Sequence, residues 1–85
     1  MDRDFASDLA IAEELRRAFE SLRLEHRVVL VLHHYLELSA VEIAHVLEVP
    51  AGTVKSRLHY AAIAMRAAVD AGARQPTGST AEGER

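Results

Sequence analysis

Glu48-Val49-Pro50 is the point that most constrains the chain. Pro50 cannot sit inside a helix, because it lacks an N–H and its ring clashes with the preceding turn. It also drives Val49 towards an extended backbone. Before the break, Ser39 is a good N-cap and Glu42 stands three residues on, which is the spacing of a capping box. Ile43, Ala44 and Leu47 then share one helical face. After the break, Gly52 and Thr53 open a second helix. Its apolar stripe runs through Val54, Leu58, Ala61, Met65 and Ala68, at steps of four, three, four and three. Two short helices around a tight turn, with a polar and cationic outer face on the second, predict a helix-turn-helix over residues 39–69.

Upstream, Leu9, Ala12, Leu15, Phe19 and Leu22 step round one face and predict a helix from Ser7 or Asp8 to Leu22, capped by Asp8. Asp4 and Phe5 can extend it by a turn. Glu13, Glu14, Arg16, Arg17 and Glu20 give it a charged, solvated side. Residues 1–6 read as a linker remnant. His26 to Tyr35 contains the run Val28 to Leu32, whose β-branched residues would suit a strand. Nothing else in the chain could pair with such a strand, so a buried helix is expected. Gly72 is placed to end the last helix, which starts at Ala51 and reaches about Ala71. Residues 72–85 have no apolar period and are expected to be a disordered tail. The fold expected is therefore all-α: one four-helix domain over residues 7–71, containing a helix-turn-helix.

The stretch from Leu38 to His59 resembles domain four of bacterial RNA polymerase sigma factors of the extracytoplasmic-function (ECF) group. Those proteins carry a run close to L-S-x-x-E-I-A-x-x-L-x-x-P-x-G-T-V-K-S-R-L-H-R-A-R. The matching residues are Leu38-Ser39, Glu42-Ile43-Ala44, Leu47, Pro50 and Gly52-Thr53-Val54-Lys55-Ser56-Arg57-Leu58-His59. Generic helix-turn-helix modules share the E-I-A element but seldom the P-x-G-T-V-K-S-R-L-H run. The resemblance continues upstream to Leu24. It implies recognition of the −35 promoter element, docking on the β flap of RNA polymerase, and capture by an anti-sigma factor. A cytoplasmic location, which the lack of Cys fits, and a domain that is monomeric apart from these partners are also expected. The domain that melts the −10 region is not in the chain, which alone is not expected to start transcription and reads as a fragment or a bound module.

Candidate site residues follow from the second helix. With Val54 facing the core and steps of about 100° per residue, Gly52, Ser56, His59 and Ile63 point away. Thr53 and Tyr60 fall on one flank, Lys55 and Arg66 on the other. Lys55, Ser56 and His59 are candidates for reading base edges, while Ser39 and Thr53 would seat phosphates. Arg57 lies on the shoulder of the helix, where an ion pair with Glu42 would fix the angle between the two helices. Loss of DNA binding without loss of stability on its removal would instead make it a DNA contact. The family usually has Arg at the places of Tyr60 and Ala62, so this chain lacks two phosphate contacts. Tyr60 and Ile63 are left as apolar groups on the reading face, facing thymine methyls or a protein partner.

Charge and composition narrow the alternatives. The net charge is −3. Residues 50–70 hold Lys55, Arg57 and Arg66 against Asp70, and form the one net-positive segment. An isolated domain this acidic should hold DNA weakly, since phosphate neutralisation supplies much of the affinity. The absence of Cys excludes disulfides and thiolate metal sites. Five His are scattered without metal-binding spacing. No catalytic constellation or cofactor motif is present, and the chain reads as a non-enzyme. The apolar surplus between Val28 and Leu38 is too large for so small a core and predicts a sticky surface. Two rivals remain: a LuxR-type output domain, expected to be a stable homodimer, and a module whose main role is binding an anti-sigma factor.

Overall fold

The computed structural model describes residues 5–74. Four α-helices and one π-helical turn make up its regular structure, with no strand among the described residues: α1 (Phe5–Glu20), α2 (Leu24–Leu30), the π-turn (Val31–Tyr35), α3 (Ala40–Leu47) and α4 (Ala51–Arg74). The long α4 is the common support, and α1, α2 and α3 all pack on it. Val29, Ile43, Ala44, Val54 and Ala61 form the buried centre, with Leu30, Leu32, Leu38, Leu47 and Leu58 around them.

The helix-turn-helix forms as expected. The Ser39 hydroxyl accepts the Glu42 N–H at 3.1 Å, and the Glu42 carboxylate accepts the Ser39 N–H at 2.7 Å. Both halves of the capping box are thus made. Glu48 ends α3 in the left-handed region, at φ 59° and ψ 47°, and the Val49 N–H bonds back to the Ala44 carbonyl at 3.1 Å. The Pro50 carbonyl then accepts from Thr53 and Val54, at 3.0 and 3.3 Å, and so begins α4. Val54 and Ala61 are fully buried beneath it.

Four expectations are corrected. First, α1 begins at Phe5 and ends at Glu20, so Asp8 lies inside it rather than capping it, and Phe5 and Ala6 are not linker. Its one buried residue is Ala18, with Phe19 half-buried and Leu22 buried just past its end, while Leu9, Ala12 and Leu15 are exposed. Ile11 and Leu15, on the same line as Ala18 and Leu22, are also exposed, so burial is confined to the C-terminal end of the helix. Second, the segment 26–35 is not one α-helix. It starts at Leu24 and widens after Leu30 into the π-turn. Third, α4 runs through Gly72 to Arg74. Gly72 lies on the same line as Val54 and Met65, and a methyl placed there would sit 3.9 Å from a Glu14 carboxylate oxygen. Fourth, Ala73 and Arg74 belong to that helix and not to a tail. Residues 1–4 and 75–85, expected as linker and tail, lie outside the described residues.

The break before α2 needs neither Gly nor Pro. The Ser21 N–H is shared between the Arg17 and Ala18 carbonyls, both at 3.2 Å. The Ser21 hydroxyl donates to the Ala18 carbonyl at 2.7 Å. These bonds satisfy the end of α1 without a left-handed residue.

Candidate nucleic-acid interface

Lys55, Ser56, His59 and Tyr60 are all exposed, Ser56 and His59 on the side of α4 opposite buried Val54 and Ala61 and Lys55 and Tyr60 on its two flanks. The rings of His59 and Tyr60 meet edge to face, with centroids 5.0 Å apart and planes at 75°. Ile63 is 52% exposed on the same side. Ser39 is exposed at the start of α3, its oxygen taken by the Glu42 N–H but its hydroxyl proton free to donate outward. Thr53 is half-buried, and its own N–H is spent on Pro50. Any anion at this end of α4 would therefore use the N–H groups of Ala51 and Gly52, which Pro50 has no side-chain acceptor to cap.

Arg57 is half-buried, but the ion pair expected with Glu42 is not made. Glu42 is committed to the Ser39 N–H instead. Capping wins because a carboxylate at the N-terminus of its own helix meets a fixed donor and the helix dipole at little entropic cost.

The cations divide into two groups. On α1, Arg16 is bound between Glu13 and Glu20, 2.7 Å from Glu20. The same hydrogen bonds raise the pKa of Arg16, while the bond from Arg16 lowers that of Glu13. Arg17 lies 3.9 Å from Glu13, and Arg23 lies 3.5 Å from Glu25. By contrast, Arg27, Lys55, Arg57 and Arg66 have no carboxylate within 4.0 Å among the described residues. Three of these four lie on α4. The net-positive segment read from the sequence is thus also the segment whose cations are not already neutralised, which is what phosphate binding requires.

Residues 12–65 match the family model described as "Sigma-70, region 4". The chain belongs to the sigma-70 region 4 family. It is 33% identical over 66 residues to the ECF RNA polymerase sigma factor SigW of Bacillus subtilis (strain 168), an alignment covering 78% of this chain and 35% of that protein. The chain thus spans about a third of the length of the curated relative it matches. A sigma-70 region 4 domain is a DNA-binding helix-turn-helix module of transcription initiation rather than an enzyme.

A second feature of this region 4 domain was only partly visible in the sequence. A groove of about 630 Å³ runs between α1, the π-turn and α4, lined by Phe19, Leu30, Val31, Tyr35, Met65 and Arg66 among others. Tyr35 is 80% exposed and Leu36 53%. The apolar surplus of residues 28–38 signalled a sticky surface; its position needed the π-turn, which aims Val31 and Tyr35 outward. Arg27 was missed altogether. Its Nε is buried without a hydrogen-bond partner, as is His26 Nδ1. Among the described residues no group of three or more His, Asp or Glu is placed to hold a metal ion, and no helix is long and apolar enough to cross a membrane.

Proposed function

We propose that this chain is the −35 promoter-reading domain of an ECF sigma factor, working in the cytoplasm. One observation carries the reading: Lys55, Ser56 and His59 project together from α4, opposite the buried Val54 and Ala61. A helix so presented fits the major groove, where Lys55 reaches guanine or phosphate and Ser56 and His59 reach base edges. The Ser39 and Thr53 hydroxyls and the N–H groups of Ala51 and Gly52 seat the backbone. Arg57 meets phosphate from the flank of α4 that it shares with Tyr60, whose ring is left to face thymine methyls or a protein partner. The groove beside the π-turn supports docking on the β flap of RNA polymerase, or capture by an anti-sigma factor, two partners that would exclude each other.

Selection of duplexes from a random pool by the purified chain tests the reading. The expected outcome is an enriched motif whose binding is lost on Lys55→Ala or His59→Ala with the melting temperature unchanged. Absence of any sequence preference, together with recovery of a small partner from native lysate, favours the protein-interaction reading that the net charge of −3 and the groove also support. A stable homodimer in sedimentation would favour the LuxR-type alternative.

A further inference from the structure

The link between α2 and α3 is held through one residue. The Leu36 N–H bonds to the Val31 carbonyl at 3.1 Å, the i to i−5 pattern that defines the π-turn. Glu37 then turns left-handed, at φ 58°. The Leu38 N–H reaches back to the Leu32 carbonyl at 3.0 Å. The Leu38 carbonyl, pointing the other way, accepts from His33 Nδ1 at 2.9 Å. A carbonyl can only accept, so Nδ1 carries the proton. Both polar backbone groups of Leu38 are therefore held by the preceding turn, and its side chain packs against the core. Ser39, the N-cap of α3, is the next residue.

We infer that His33 is a positioning residue for DNA reading: its Nδ1 bond to Leu38 sets where α3 begins, and so how α3 and α4 present their outer faces. The inference rests on the promoter-reading function proposed above. The physical reason is that α2 and α3 make little contact with each other. Their relative placement comes from α4 and from this link. Of the bonds that fix Leu38, the one from His33 alone comes from a side chain, so it is the one that substitution can remove. Without it, the Leu38 carbonyl turns to solvent and the link gains conformational freedom. A loosened α3 spreads the orientations of the reading face, and a rigid constellation binds DNA better than a spread one because less freedom is lost on binding.

The test separates this donor from the bulk of the ring. In His33→Asn the amide nitrogen falls near the place of Nδ1 and keeps a donor; His33→Leu keeps volume and loses it. Two quantities are measured for wild type and both variants. One is amide hydrogen exchange of Ile43 and Ala44 in α3, with Ala18 in α1 as reference. The other is affinity for a duplex selected by the wild-type chain, relative to unselected DNA. His33→Leu is expected to speed exchange in α3 by tenfold or more with α1 unchanged, and to cut the preference for the selected duplex about tenfold. His33→Asn is expected to stay within about threefold of wild type in both. Unchanged exchange in His33→Leu, or equal loss in the two variants, overturns the inference. If the wild-type chain selects no duplex, the promoter reading fails by itself, and the exchange measurement still decides whether His33 places α3.

Discussion

Glu48 is the most direct handle on the stability of this domain. It ends α3 at φ 59° and ψ 47°, a region where Cβ crowds the following carbonyl and an L-residue loses about 1–2 kcal/mol. Glycine has no such penalty but leaves the unfolded chain with more freedom, which takes back about 0.4–1 kcal/mol. Glu48→Gly should therefore stabilise the domain by about 1 kcal/mol. For a domain of this size that raises the melting temperature by about 4–8 °C. The side chain is exposed and makes no ion pair among the described residues, so little is lost with it. Circular dichroism at 222 nm during heating gives the measurement. Glu48→Gln separates charge from backbone, since it removes the carboxylate and keeps the strained φ; it should melt with the wild type. Glu48→Asn should gain part of the effect, because Asn tolerates this region. A Glu48→Gly protein that melts at or below wild type, or a Glu48→Gln protein that gains as much, would show that the left-handed turn is not where the strain lies.

Three further outcomes are expected. Ser39→Ala removes one half of the capping box and should cost about 1 kcal/mol in urea denaturation. Gly72→Ala should stabilise by about 0.5–1 kcal/mol, because the added methyl meets nothing nearer than a flexible Glu14 oxygen at 3.9 Å in the interior of a helix; a loss of stability would mean that α1 and α4 approach more closely than described. Tyr60→Arg should strengthen DNA binding and steepen the plot of log affinity against log salt by about one unit, as one added phosphate contact requires; an unchanged slope would place Tyr60 away from the backbone.

The helix-turn-helix was legible because its signals are local. A hydroxyl with a carboxylate three residues on, and a proline between two apolar stripes, each fix the backbone within a few residues. The outward placement of Lys55, Ser56 and His59 followed from the period of that second stripe. What was not legible depends on distant partners. Along α1 the apolar residues run the length of the helix, yet only Ala18 and, just past its end, Leu22 are buried, because the rest of the apolar stripe finds no neighbour among the described residues to cover it. Gly72 carries the usual signal of a helix end, yet α4 continues through it to Arg74, since a glycine inside a helix costs only about 1 kcal/mol. Glu37 and Glu48 gave no sign of a left-handed backbone, because neither residue type prefers it. The Arg57–Glu42 pair failed because Glu42 had a nearer donor, which the capping spacing itself had already announced.

The π-turn also bears on how chains of this kind can change length. A loop closed between residues five apart encloses one more residue than a loop closed between residues four apart. Removing one residue from 31–35 could thus be absorbed by tightening the wide loop into an ordinary one, with Leu38 and everything after it left in phase. The joint between the first and second halves of the domain behaves as a slip ring: it can take up or give back a residue while the helix that meets DNA keeps its heading.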